Sequence, residues 1–355
     1  HLAGQDYFRC PDTVPFTPRY EHPDLRLTKE QNALAVDEYL EALEVRQTCH
    51  ELVALFGGRM PHLQGILAGG AAAIPTREVI LEFAARLKKI RAFVENRYLP
   101  LAYRISAQYA DLFAMAHGYR NALCAGVFPL GDGKEFFGAG LYLNGKDQPF
   151  DKNKIHEDVR YAWFASDNEK QPDVDKAGAY SFIKAPTYAG QRVEVGPLAR
   201  MWVNDLPLSS MGRTALAAQF GITAQSFREL GEDRAFSIMG RNIARAEEVY
   251  ALIGAIEGWL RDLEPGAPTF VLPDVPEEGE GFACTEAPRG ALVHALRIKK
   301  HKIAAYTVIA ASMWNCSPRD ASGQRGAIEE ALLGVAVPDV GSPVNVGRVI
   351  RAFDP

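Results

Sequence analysis

Residues 26–58 read RLTKEQNALAVDEYLEALEVRQTCHELVALFGG. Thr28 and Gln31 fit a capping box, in which two side chains satisfy free backbone amides at the start of a helix. Leucines recur near helical spacing through the rest of the stretch, at positions 34, 40, 43, 52 and 55. The stretch therefore predicts one long helix that ends at the glycine pair Gly57 and Gly58.

Further helices flank a strand-like middle part of the chain. The spacing of apolar residues predicts helices at about residues 76–100, 102–115, 210–230 and 234–264. Short aromatic segments bounded by Gly, Asp or Pro predict strands at residues 138–145, 159–165 and 179–185, and the proline-rich, acidic stretch 264–280 predicts a loop. We expect a mainly α fold with a core of long helices, small irregular β segments, and a single domain over residues 1–355.

The composition excludes several classes of protein. The 355 residues carry 39 Lys and Arg against 44 Asp and Glu, a net charge of -5, which argues against a nucleic-acid partner. No apolar run is long enough to span a membrane, and the first residues lack the pattern of a secretory signal. The five cysteines form neither a disulfide framework nor a CxxC metal motif.

Generic catalytic motifs are matched only partly. Residues 140–147, GLYLNGKD, nearly fit a P-loop, but Asp147 replaces the magnesium-binding hydroxyl, so a hairpin turn is the better interpretation. His50 and Glu51 could begin a zinc-protease helix, but Ala54 stands where the second histidine is needed. Neither GxSxG nor GxGxxG occurs.

Three dense polar clusters remain, each with a structural and a functional interpretation. Residues 57–62, GGRMPH, could be a helix cap or a cation-bearing turn. Residues 286–292, EAPRGAL, fix Arg289 between proline and glycine, either as an ion-pair anchor or as a cation that orients an anion. Residues 314–320, WNCSPRD, followed by GQRG at 323–326, could be a structural turn or part of a site.

Together, and in this order, the clusters resemble the large subunit of nickel-iron hydrogenases over essentially the whole chain. Further landmarks of that family are KAP at 184–186, EVGPLAR at 194–200, Gly240 with Arg241, and the ending AFDP at 352–355. The resemblance implies the fold of that large subunit. It also implies a nickel-iron centre with cyanide and carbon monoxide ligands, and a magnesium ion.

The resemblance places the four nickel-binding cysteines in two CxxC pairs, and this chain contains neither pair. We expect one pair before His1 and the other directly after Pro355. The chain as given therefore lacks the metal-ligating cysteines, and it could not assemble the complete centre by itself.

Other roles carry over from the family residue by residue. Arg289 would stand above the metals and assist heterolytic splitting of H2, paired with the carboxylates of Asp354 and Asp6. Arg59 and His62 would face the proximal cluster of an iron-sulfur small subunit. The carbonyl of Val308 would bind magnesium, and six residues would line the site: Ala287, Pro288, Leu292, Ala310, Ala311 and Ser312, the last binding a cyanide.

The resemblance implies reversible oxidation of H2 to protons and electrons that pass to the small subunit, with a membrane cytochrome or quinone-linked acceptor. We expect the enzyme on the periplasmic side, membrane-associated through its partners, with a cytoplasmic setting as the alternative. Two other functions stay open: the homologous quinone-site subunit of respiratory complex I, and a metal-free apo or degenerate scaffold.

Overall fold

The computed structural model describes residue 24, residues 26–165 and residues 171–354, so Asp6 lies outside the described residues. Helices account for 43% of the described residues and strands for 20%. The expected mainly α class is therefore confirmed only in part, because strands form more than small irregular segments. The expectation of a single domain stays a prediction.

Runs of helices and runs of strands follow one another along the chain. The helices are α1 Lys29–Gly57, α2 Arg77–Phe93, α3 Leu99–Gln108, α4 Pro197–Asn204, α5 Ser210–Phe220, α6 Glu232–Ala235, α7 Ile238–Asp262, α8 Ala311–Cys316, α9 Ala327–Ala331 and α10 Val344–Phe353. The strands are β1 Ile66–Leu67, β2 Gly70–Ala71, β3 Ala122–Cys124, β4 Val127–Gly131, β5 Lys134–Phe137, β6 Gly140–Leu143, β7 Lys146–Gln148, β8 Ile155–Asp158, β9 Ala185–Tyr188, β10 Glu278–Ala287, β11 Gly290–Lys299 and β12 Lys302–Ile309.

These elements form two compact units. Unit 1 contains the described residues up to Tyr109 together with Ser209–Phe220 and Ala246–Asp274. It is built from α1, α2, α3, α5 and most of α7, with the β1–β2 hairpin. As the capping box predicts, α1 begins after Thr28, whose hydroxyl accepts from Gln31 N while the Gln31 side chain accepts from Thr28 N.

Unit 2 contains Ala110–Leu208, Gly221–Arg245 and the chain from Val275 onward. Its largest sheet has the antiparallel order β10-β11-β12, and a second three-stranded sheet has the order β3-β6-β7. Apolar side chains of both sheets pack with Trp314 of α8 in one core, which includes Leu123, Leu141, Val195, Ala291, Val293 and Ile309. The P-loop-like stretch is the β6–β7 hairpin, as interpreted from the sequence.

Several helix boundaries differ from the prediction. The helix expected over 102–115 ends at Gln108 and a 3-10 helix follows at Ala110–Ala114, and the helix expected over 234–264 is interrupted between Ala235 and Ile238. The helices expected on either side of Pro100 run together, because a π-helical turn at Val94–Tyr98 leads directly into α3, with Pro100 in its first turn. Pro100 has no N–H to donate, and the π-helical turn directly before it departs from the regular α-helical hydrogen-bond pattern, so the helical stretch continues past the proline. The helix expected over 210–230 ends at Phe220, and a short 3-10 helix follows at Arg228–Leu230.

The strands expected at 159–165 and 179–185 were wrong. Apart from Ala185, which begins β9 and pairs with Asp158, the pairing described in these two segments is a single bridge between Ala162 and Ser181. The Lys176 ammonium donates to the carbonyl oxygens of Val159, Ala162 and Phe164, at 2.5, 3.0 and 2.6 Å. Two of these oxygens also accept local backbone N–H groups, Val159 O from Ala162 N at 3.1 Å and Ala162 O from Phe164 N at 2.8 Å, so the segment folds as turns around the lysine rather than as a strand.

Candidate active site

The Arg289 hairpin, residues 286–292, joins β10 to β11. Ala287 pairs with Gly290, so Pro288 and Arg289 form its two-residue turn. Gly290 has φ +132, and a Cβ there would overlap the Val195 side chain and lie 2.6 Å from the Gly196 nitrogen. Glycine is therefore required at this position.

Arg289 faces the end of the last described helix. Its Nε lies 3.6 Å from Asp354 Oδ2, and the two side chains are 48% and 47% exposed. Asp354 follows α10 in the left-handed conformation, with φ 52, and its N–H donates to Arg351 O. The structure thus brings together two residues that the sequence assigned to one site.

Buried charges support both ends of this ion pair. Glu286, beside the turn, pairs with Arg200 of α4 at 2.7 Å, and these side chains are 1% and 4% exposed. On the other side, Arg241 of α7 binds Glu194 through two contacts of 2.7 and 2.8 Å, both side chains being buried. The sequence analysis assigned no role to either ion pair. Glu194, Arg200 and Arg241 nevertheless lie in motifs that carry the family resemblance.

Arg241 also reaches the end of α10. Its guanidinium carbon lies 4.0 Å from the centre of the Phe353 ring, and Arg245 Nη2 donates to Ala352 O at 3.0 Å. The two residues contacted, Ala352 and Phe353, immediately precede Asp354 in the chain. These contacts fix the backbone that presents the Asp354 carboxylate to Arg289.

The residues expected to line the site lie at the same end of the large sheet. Val293 of β11 pairs with Ile309 of β12, and Val308 pairs with His294. Because of this register, the segment that contains Ala310, Ala311 and Ser312 leaves β12 beside the β11 residue Leu292, next to the hairpin. Ala311 is buried, whereas Ser312 and Leu292 are half-buried and Pro288 is exposed.

The cluster at 314–320 is a structural anchor. The Asn315 side chain donates to Val195 O at 3.0 Å and accepts from Val195 N at 3.1 Å. Arg192, which is 1% exposed, donates to the Ser317 hydroxyl and to Pro318 O. Asp320 accepts from Gln324 N at 2.9 Å. Asn315 thereby holds Val195 against Gly290 of the hairpin.

The Arg59 turn, residues 57–62, belongs to unit 1 and is exposed from Gly58 onward. Gly58 ends α1 with φ 82, and Arg59 Nε donates to His62 O at 2.9 Å. The predicted roles of Arg59 and His62 at a partner's cluster stay predictions.

The described residues do not fit a nickel-iron centre by themselves. None of their His, Cys, Asp and Glu side chains form a group of three that could hold a metal ion. Burial raises the pKa of the Cys49, Cys284 and Cys316 thiols, and burial with the nearby Glu286 charge raises that of Cys124 to about 12. A raised pKa disfavours the thiolate form, which is the form that binds metals.

The family model described as nickel-dependent hydrogenase matches residues 6–355. The periplasmic [NiFeSe] hydrogenase large subunit of Desulfomicrobium baculatum is 47% identical over 100% of this chain and 73% of its own length. The Escherichia coli K12 hydrogenase-2 large chain is 29% identical over 94% of this chain and 66% of its own. The reduced Ni-Fe-Se hydrogenase of Desulfovibrio vulgaris Hildenborough superposes with a TM-score of 0.94 at 55% identity, covering 99% of this chain and 75% of that one.

The chain therefore belongs to the nickel-dependent hydrogenase family. It is a catalytic hydrogenase subunit with the large-subunit fold, and hydrogenases are oxidoreductases that act on H2. The family and fold inferred from the sequence are confirmed, and the complex I and scaffold alternatives are not favoured.

Proposed function

We propose that this subunit oxidises H2 reversibly to two protons and two electrons at the Arg289 hairpin. The observation that carries the proposal is the Arg289–Asp354 ion pair, whose two halves are each supported by a buried arginine. A guanidinium held in one place stabilises the charge separation that develops when H2 splits into hydride and proton. Arginine suits this task because it stays protonated where a lysine could lose its proton.

The residues of this chain would bind and orient the reacting molecule, and they would not themselves supply the redox centre. Asp354 would keep the guanidinium directed towards the reacting molecule, and Ala287, Pro288 and Leu292 would line the pocket that H2 enters. We further propose that the complete enzyme holds a nickel-iron centre with cyanide and carbon monoxide ligands, and a magnesium ion. Ser312, the amides of Ala310 and Ala311, and the carbonyl of Val308 are the predicted contacts to these groups.

The partner in this proposal is an iron-sulfur small subunit, which the Arg59 turn would face through Arg59 and His62. One relative is named a quinone-reactive hydrogenase, at 27% identity in Wolinella succinogenes, and this name supports a membrane acceptor. The Desulfomicrobium baculatum relative is named periplasmic, which supports the same compartment here. No helix in the described part of the chain is long and apolar enough to cross a membrane. The membrane association that we propose is through partner subunits.

The test is Arg289→Lys in the full-length enzyme, assembled with its small subunit and shown to retain nickel. Removing one preorganised donor from a charged transition state lowers a rate by about 10²-fold, and we expect that loss in H2 oxidation. Arg297→Lys is the matched control, since Arg297 lies on β11 in an exposed ion pair with Glu280. Near-normal turnover of the Arg289 variant would remove this residue from the mechanism.

A further inference from the structure

The Arg200 guanidinium lies directly behind the turn that carries Arg289. Its Nη1 donates to Glu286 Oε2 at 2.7 Å and to Ala287 O at 3.0 Å, and its Nη2 donates to Pro288 O at 2.8 Å. One side chain thus binds acceptors on the three consecutive residues before Arg289. The conformation of the turn is therefore coupled to the position of this guanidinium.

Arg200 is itself held on a rigid support. It lies in α4, where all residues from Pro197 to Trp202 are buried. Its guanidinium carbon is 5.7 Å from the centre of the Phe137 ring. The second oxygen of Glu286 accepts from Ala125 N at 2.6 Å, beside β3. Contacts from α4 and from the residue that follows β3 therefore both hold the turn in place.

Only an arginine can make these contacts together. The guanidinium is planar and presents five N–H donors in a fixed arrangement, whereas an ammonium is a compact charge with three donors. A lysine at this position would keep the charge beside Glu286 but could not bind both carbonyls in the same geometry.

We propose that Arg200 is a positioning residue for Arg289, acting through the turn to direct the Arg289 side chain towards Asp354. The inference rests on the proposed function, because it assigns Arg289 the role that Arg200 supports. Arg200 does not need to touch the reacting molecule. It sets where the exposed guanidinium points.

The test is a double-mutant cycle in the complete enzyme with its small subunit. Arg200→Lys should lower kcat for H2 oxidation by roughly 10-fold to 100-fold, since a displacement of about 1 Å costs up to about 10²-fold. The KM for H2 should change little. In an enzyme that already carries Arg289→Lys, adding Arg200→Lys should lower kcat by less than about 3-fold, because the residue through which Arg200 acts is already altered.

Arg91→Lys is the matched control, because the Arg91 guanidinium also binds several acceptors, the two Glu257 carboxylate oxygens at 2.7 Å and Glu95 Oε1 at 2.9 Å, but belongs to unit 1, whereas the hairpin belongs to unit 2. Any loss of kcat that the control substitution causes should be the same in the wild-type enzyme and in the Arg289→Lys enzyme. If the Arg200→Lys enzyme cannot be produced, Glu286→Gln is the second variant, because it weakens the same contact between Arg200 and the turn. Its loss of kcat should be smaller and should likewise be non-additive with Arg289→Lys.

Hydrogen–deuterium exchange of the peptide covering 286–292 supplies a measurement independent of activity. Exchange should be faster in Arg200→Lys than in the wild type and unchanged in Arg91→Lys. Additive losses in the cycle, or unchanged exchange, would overturn the positioning role. If Arg289→Lys alone leaves activity intact, the proposed function fails, while the exchange measurement still decides whether Arg200 holds the turn.

Discussion

The Arg289 hairpin and the Arg59 turn are both rich in glycine and proline, and each presents one exposed arginine. Their supports differ. The hairpin is held by side chains from distant parts of the sequence, such as Arg200 and Asn315, whereas the Arg59 side chain binds the carbonyl of His62, three residues away. Two motifs of similar composition are therefore stabilised differently. Long-range buried contacts hold the backbone that carries Arg289, whereas Arg59 makes a local contact.

The largest expected effect comes from removing a buried charge near the hairpin. Arg241→Met leaves the Glu194 carboxylate buried without its partner, and breaking such a pair lowers the free energy of unfolding by about 3–5 kcal/mol. Arg59→Met removes one exposed hydrogen bond and should cost less than about 1 kcal/mol. Denaturant unfolding of both purified variants measures the difference. Equal losses would contradict the contrast between the two regions.

A glycine substitution in each region gives a smaller contrast. Gly290→Ala combines a positive φ with an overlap against Val195 and the Gly196 backbone, and should lower the free energy of unfolding by about 3 kcal/mol. Gly58→Ala has φ +82 but no atom within 4 Å of the added Cβ, so only about 1 kcal/mol of backbone strain is expected. Thermal unfolding of the two variants compares them directly. A Gly58 variant as unstable as the Gly290 variant would show that the Arg59 turn is packed as tightly as the hairpin.

Local signals explain which parts of the fold were predictable. The capping box at Thr28 placed the start of α1 correctly, and the glycine after Asn144 marked the β6–β7 turn. The β10-β11-β12 sheet was largely missed. The stretch EGEGFACTEA of β10 mixes charged, small and apolar residues without a clear alternation, and only its pairing with β11 makes it a strand.

The site was predictable only as far as the family resemblance extended. Arg289 and Asp354 were paired from that resemblance, and the structure places them 3.6 Å apart, although their catalytic roles stay predictions. Arg200 and Glu286 are 86 positions apart in the chain. No local pattern links them, because their contact depends on how α4 packs against the end of the large sheet.

The smallest expected effect is on the reactivity of two cysteine thiols. One lies in the core behind the Arg289 hairpin, and the other lies beside the Arg59 turn. Cys124 is fully buried, and Ala125 beside it donates to the Glu286 carboxylate at the hairpin. With a pKa of about 12, its thiolate fraction stays near 1% even at pH 10, so iodoacetamide should not label it in the native enzyme. Cys49 of α1 is half-buried and lines an apolar cavity of about 560 Å³ next to the Arg59 turn.

Burial also raises the pKa of Cys49, so its labelling should be slow at pH 7 and should accelerate as the pH rises towards that pKa. Mass spectrometry of the two peptides at pH 7 and pH 9 measures both rates, with the denatured protein as the reference for full labelling. Labelling of Cys124 at the rate of Cys49 would mean that the core behind the hairpin opens as readily as the cavity beside the turn. Arg200 could not then hold Arg289 in one place, because its own support would be mobile.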